Sequence, residues 1–202
     1  YKKVNNMKTI NYLYLSLMCF FLFFFLTIFI INGNVIFFDD LIYNFLHQFP
    51  LTSFFRVITE LGGVMDIVIV MVLYLLGSKS KKNVQFFLAL MLLNTVANFV
   101  LKQFFVRSRP YYEKLVSASG FSFPSGHTSG FTSILCFLEW RKNRYEKPSI
   151  VRTIIIWMLI IYMPISRMAM GAHFLSDTAV GFLMTYSWYL FYRRYYRRRE
   201  VL

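Results

Sequence analysis

Six apolar runs divide the chain, at 10–31, 57–76, 84–106, 127–140, 153–170 and 174–192. Several approach the roughly 20 residues that a helix needs to cross a bilayer core of about 30 Å. The pattern predicts an all-α, polytopic membrane protein with six transmembrane helices, folded as one domain over residues 1–202. Between the first two runs, NVIFFDDLIYNFLHQF (34–49) places apolar residues at 37, 41, 45 and 49. Asp39, Asp40, Asn44 and Gln48 fall elsewhere, which predicts a short amphipathic helix lying in the outer interface. The Phe-rich FFLFFFL (20–26) reads as lipid-facing bulk. Tyr1 to Lys8 read as a polar arm, and the run behind them is too long for the apolar part of a signal peptide. Met7 is a candidate start residue, with Tyr1 to Asn6 upstream of it.

Composition agrees with that pattern. The chain is 57% hydrophobic and 20% aromatic, more apolar surface than a soluble domain of this size could coat with polar groups. The net charge of +13 raises nucleic acid as a partner, but its placement argues for topology instead. Sixteen of the 22 Lys and Arg fall at the N-terminus, in the loops holding Lys79 and Lys142, and in the tail RRYYRRRE. By the positive-inside rule both termini are cytoplasmic. The expected location is the plasma or inner membrane, with membrane lipids as neighbours. Cys19 and Cys136 lie in different apolar runs and predict free, buried thiols.

The remaining cations are Arg56, Lys102, Arg107, Arg109, Lys114 and Arg167, on the outer side. Ionisable groups at membrane depth are costly and mark function by default. Lys102, Arg109 and Arg167 supply fixed positive charge, and guanidinium forks match phosphate oxygens. Pro124-Ser125-Gly126-His127 leads into a helix start, where free N–H groups favour an anion. Gly126 permits close approach and Ser125 adds a hydroxyl. His173 and Asp177 stand four apart, so on a helix the carboxylate can fix the imidazole tautomer. An oriented neutral imidazole is a nucleophile toward phosphorus, and His127 is placed to protonate the leaving oxygen. No cluster of carboxylates or paired His/Cys ligands suggests a catalytic metal.

Three motifs then stand in order: K-x6-R-P (Lys102 to Pro110), P-S-G-H (124–127) and S-R-x5-H-x3-D (Ser166 to Asp177). This set resembles the type 2 phosphatidic acid phosphatase (PAP2) superfamily, and the six-span layout resembles its small bacterial lipid phosphatases. The resemblance implies that Lys102, Arg109 and Arg167 hold phosphate with help from Ser125 and Gly126. It implies that His173 forms a phosphohistidine, that His127 protonates the leaving group, and that Asp177 orients His173. It implies no metal or other cofactor, and a lipid phosphate as substrate on the non-cytoplasmic side. Phosphatidylglycerophosphate and undecaprenyl pyrophosphate lead, ahead of phosphatidate and lipid A 1-phosphate.

Other classes predict other patterns. A transporter or channel with an outward anion site would spread charges along its spans, and a phosphotransferase would use the same pocket. Arg107 and Lys114 read as solvated loop charges before substrate-attracting ones. Glu60 is expected near the outer interface, Asp66 against a neighbouring helix, and His47 as an interfacial polar residue. Span 4 is about 21 Å long at 1.5 Å per residue, which would sink its start to lipid-phosphate depth. Pro164 is expected to bend span 5 and aim Arg167.

Overall fold

The computed structural model describes residues 2–198 except 47, 49–54, 57–58, 60–62 and 112–114, with side chains given from 11 to 196 except at 64 and 65. The expectations for Tyr1, His47, Glu60, Lys114 and Arg199 lie outside the described residues. Seven helices and no strand occur among those described: α1 (Lys2–Ile31), α2 (Ile36–Leu46), α3 (Val64–Gly77), α4 (Lys81–Phe105), α5 (Gly126–Tyr145), α6 (Ile150–Ala169) and α7 (Leu175–Arg198).

Helix starts follow caps rather than hydropathy. Ser80 and Ser149 accept the backbone N–H of Asn83 and Arg152, each at 3.4 Å. Those caps start α4 and α6 three residues before their apolar runs. The residues expected as a polar N-terminal arm belong to α1, which begins at Lys2. Span 4 is also longer than expected, because α5 continues past Trp140 to Tyr145. Arg141, Lys142 and Arg144 are helix formers and suit the negative end of the helix dipole. At 20 residues α5 measures about 30 Å, so a short span does not sink its start. Pro164 sits inside α6 without ending it.

Among the described residues, three helices are long and apolar enough to cross a membrane: Asn11–Ile31 of α1, then α4 and α6. α5, marked in the sequence only as the short run 127–140, is the central helix, packed by α3, α4, α6 and α7. Its Thr128, Ser129, Thr132 and Ser133 are buried, and Thr128, Ser129 and Ser133 pair within the bundle. Asn94 of α4 donates to Ser133 Oγ at 2.8 Å and accepts from Thr185 of α7 at 2.8 Å. Ser16 of α1 donates to the Ser187 carbonyl of α7 at 2.8 Å. Such bonds hold helices together where no water competes.

The half of the bundle away from the site is filled by aromatics. Phe86 meets Trp140 edge to face with centroids 4.5 Å apart, and Tyr74 meets Phe137 at 5.0 Å. Phe21, Phe24 and Phe25 face outward, as the Phe-rich run predicts. Cys19 and Cys136 are free and buried.

Candidate active site

From α4 to α7 the helices alternate in direction, so the C-terminal ends of α4 and α6 meet the N-terminal ends of α5 and α7. Helix termini explain where each side chain sits. Lys102 lies in the last turn of α4, and Arg167 in the last turn of α6. α6 ends in a Schellman turn. The Ala172 N–H reaches the Arg167 carbonyl at 3.0 Å and the Gly171 N–H reaches that of Met168 at 3.0 Å. Gly171 holds φ +67° there, a conformation that glycine adopts without a Cβ penalty. That turn fixes the spacing between Arg167 and His173. α7 then starts with half of a capping box, in which Asp177 accepts the Phe174 N–H at 3.0 Å. The catalytic candidate Asp177 is therefore also a helix cap.

The Ser125 hydroxyl caps α5, accepting from the Thr128 N–H at 3.4 Å and the Thr128 hydroxyl at 3.1 Å. Its own hydrogen is left to donate. The Ser125 N–H bonds the Asp177 carbonyl at 3.1 Å, which ties the α5 turn to α7. The first-turn N–H groups of Gly126 and His127 have no preceding helical carbonyl to bond. A Cβ on Gly126 would meet only Asn98 Oδ1, at 3.8 Å, so the turn is open toward a ligand. That Oδ1 is a buried acceptor with no partner among the described residues.

Three cations converge on this turn. Lys102 Nζ donates to the Phe121 carbonyl at 2.6 Å. Arg109 donates to the carbonyls of Ser119 (2.7 Å), Gly120 (3.0 Å) and Ala172 (2.7 Å), and its Nη1 lies 3.2 Å from His173 Nε2. Burial lowers the Arg109 guanidinium below its ordinary value, against the charge of Asp177, and an arginine stays charged nonetheless. Arg167 is 3% exposed and anchors to Thr59 Oγ1 at 3.0 Å, while its Nε has no partner among the described residues. A buried orphan N–H is expensive, and this one is free to donate, as are the buried Nε groups of Arg141 and Arg152 at the other end of the bundle, which have no partner among the described residues either. His127 is half-buried and within electrostatic reach of Arg167, His173, Arg109 and Lys102.

His173 is assigned its tautomer by its partners. Nε2 accepts from Arg109, so the proton sits on Nδ1. Nδ1 lies 3.4 Å from Ser122 Oγ and 3.6 Å from Asp177 Oδ2. The second separation is long for a hydrogen bond, because the Ser122 hydroxyl already holds Oδ2 at 2.5 Å. Burial holds the His173 ring down at about 4, with Arg109 and Arg167 pushing the same way and Asp177 opposing. The ring is neutral above that pH, and its unprotonated Nε2 faces the Arg109 guanidinium.

The spacing of Lys102, Arg109, Ser125, Gly126, His127, Arg167, His173 and Asp177 thus resolves into one cluster. Ser122, Asp39, Thr59 and Ser176 were not singled out from the sequence, although Ser122 stands two residues before the P-S-G-H motif. Arg107 is not a solvated loop charge. It bonds Asp177 Oδ1 at 2.5 Å and Asp39 Oδ2 at 2.8 Å. Val106 before it holds a left-handed φ of 48°, uncommon for a β-branched residue. Asp66 lies in the first turn of α3, half-buried.

The sequence profile of the PAP2 superfamily matches residues 83–200, more than half of the chain and all three motifs. The chain belongs to the PAP2 superfamily. Phosphatidylglycerophosphatase B of Bacillus subtilis (strain 168) is 36% identical over 89 residues, which cover 42% of this chain and 44% of that protein. The matched part therefore spans less than half of that relative's length. Two solved structures share the fold. The crystal structure of a transmembrane PAP2-type phosphatidylglycerolphosphate phosphatase from Bacillus subtilis superposes with TM-score 0.79 at 24% identity, over 92% of this chain and 97% of that one. Aquifex aeolicus LpxE gives TM-score 0.62 at 21% identity, over 80% and 94%.

Close packing behind the PAP2 motifs yields a prediction. A Cβ on Gly181 of α7 would sit 2.9 Å from the Ser125 carbonyl and 3.1 Å from Ser129 Oγ. Gly181→Ala must push the α5 turn away from α7, at a cost of about 1–3 kcal/mol for overpacking. Displacing Ser125, Gly126 and His127 by a fraction of an ångström should lower turnover at least tenfold. Initial rates and a melting curve of the variant check both effects.

Proposed function

We propose that this chain is an integral membrane phosphatase that hydrolyses the phosphomonoester or pyrophosphate of a lipid on the non-cytoplasmic face. The observation that carries it is His173 Nε2, held 3.2 Å from Arg109 and ringed by Lys102, Arg167 and the α5 N-terminus. A phosphate docking there takes over the Arg109 N–H and meets the orphan Nε of Arg167. Nε2 attacks phosphorus, the bond to the lipid oxygen breaks, and His127 gives that oxygen its proton. Water then attacks the phosphohistidine, His127 takes a proton from it, and phosphate leaves with Nε2 restored. Asp177 holds the ring and balances the positive charge it gains. Three fixed cations and helix N–H groups stabilise the phosphoryl oxygens.

A six-span topology with both termini cytoplasmic supports the outward site, since the basic residues gather at the other end. Phosphatidylglycerophosphate is the favoured substrate, because a phosphatidylglycerophosphatase is the 36%-identical relative. Undecaprenyl pyrophosphate comes next, then phosphatidate and lipid A 1-phosphate. The test is release of inorganic phosphate from these four lipids by the full chain in detergent with EDTA present. Release without added metal, fastest on phosphatidylglycerophosphate, is expected. No release from any of the four would overturn the reading and favour an anion transporter.

A further inference from the structure

Asp39 is 2% exposed, although it belongs to α2, the helix expected to lie in the interface. Phe37, Phe38, Leu41 and Phe45 of that helix face outward and Leu46 packs partly buried against Phe55, Ala169 and Met170, while Asp39 is its fully buried residue. Its Oδ1 accepts the Ser176 N–H of α7 at 2.9 Å, and its Oδ2 accepts the Ser176 hydroxyl at 2.7 Å. Oδ2 also takes Arg107 Nη2 at 2.8 Å. The other nitrogen of that guanidinium bonds Asp177 Oδ1 and the Ser176 hydroxyl, at 2.5 and 2.8 Å. Arg107 further stacks over the Phe174 ring at 4.4 Å.

Three consequences follow from this wiring. Arg107 is spent on two carboxylates, so it is not a fourth phosphate ligand. It occupies the Asp177 oxygen that His173 does not use, which leaves Oδ2 as the face presented to the ring. Asp39 places a negative charge at the start of α7, where the helix dipole favours it, and holds Arg107 in register from a different helix. The carboxylate that orients the nucleophile is thus itself oriented from α2.

We propose that Asp39 and Arg107 are a positioning pair that fixes Asp177, and through it the tautomer and direction of the His173 ring. The proposal rests on the phosphatase reading for its kinetic consequences but not for its structural ones. A direct bond between Arg107 and phosphate would make the pair a binding element, and simple bracing of α7 would make it structural. Kinetics and spectroscopy separate these three roles.

The test compares the full chain with Asp39→Asn, Arg107→Lys and the double variant. Wild-type release of phosphate from phosphatidylglycerophosphate is the control, and its failure would sink the phosphatase reading alone. With the control active, each single variant should lose at least tenfold in kcat with KM within twofold, normalised to folded protein. The double variant should lose no more than the worse single one, since both act through one chain of bonds. Nitrogen-15 spectra of labelled histidine, assigned with His173→Ala, need no substrate. They should show one Nδ1–H tautomer for wild-type His173 and a mixture in the variants. A raised KM with unchanged kcat would overturn the proposal in favour of substrate contact. An unchanged His173 spectrum with unchanged kcat would overturn it in favour of bracing, whatever the melting temperature does.

Discussion

His173→Ala is expected to abolish turnover, with a loss of at least about 10⁴-fold in kcat and no covalent phosphoenzyme on acid quench. The wild type should give an acid-labile phosphoprotein under the same quench. The fold should survive, because His173 lies in the turn between α6 and α7 and the Asp177 cap on Phe174 does not depend on it. Circular dichroism and a melting curve check that point. A variant that keeps its rate would end the nucleophile assignment, however well the cations bind phosphate. The same ring sets a pH limit. Burial holds it at about 4, below the ordinary histidine value near 6.5. Because the neutral form attacks, the acid limb that this ring contributes to kcat/KM should lie near pH 4, after correction for the measured ionisation of the substrate. An acid limb near 6.5 that belongs to the enzyme would show that the ring is not desolvated as the structure has it.

The clustering of the candidate nucleophile with its cations was legible in the sequence because each motif is short and sits at a helix end. Lys102 and Arg109 flank one helix terminus, and the Schellman turn at Gly171 converts the spacing from Arg167 to His173 into a fixed approach. Local chemistry of this kind survives without knowledge of the packing. The charges that orient Asp177 were not legible, because they come from afar. Asp39 and Ser176 are separated by 137 positions, and nothing in an amphipathic pattern says which of two adjacent aspartates turns inward. Asp40 and Asp39 look alike until α2 is set against α7. Arg107 was misread for the same reason, since its carboxylate partners lie on two other helices. The helix edges at Ser80 and Ser149 show a smaller version of that failure. Hydropathy marks where lipid or core begins, whereas a serine cap marks where the backbone bonds begin, and the two differ by a turn. α5 shows the reverse limit. Its buried Ser and Thr and its basic last turn lower its hydropathy because its neighbours are protein, so the apolar run marks only 127–140 of a helix that continues to Tyr145.

Arg167 carries the second large effect, and its sign differs between stability and activity. The side chain is 3% exposed, is anchored through one nitrogen to Thr59, and leaves Nε without a partner among the described residues. Arg109 lies within electrostatic reach, so two like charges share one cluster. A buried charge without full pairing is costly, and replacing such a group by an apolar one of similar volume is often stabilising. Arg167→Leu should therefore raise the melting temperature of the substrate-free protein, or leave it unchanged. Turnover should nonetheless fall on the order of 10²–10³-fold, the usual effect of losing one donor to a developing oxyanion. Arg167→Lys tests the geometry rather than the charge. An ammonium cannot hold Thr59 and phosphate through a planar fork, so Lys is expected to recover little of the lost rate. Inhibition by inorganic phosphate should weaken in both variants, as a direct readout of the anion site. If Arg167→Leu lowered stability sharply while the variant that still folds bound phosphate as well as the wild type, Arg167 would be a structural tie to Thr59. The affinity for phosphate would then have to come from Lys102, Arg109 and the α5 N-terminus.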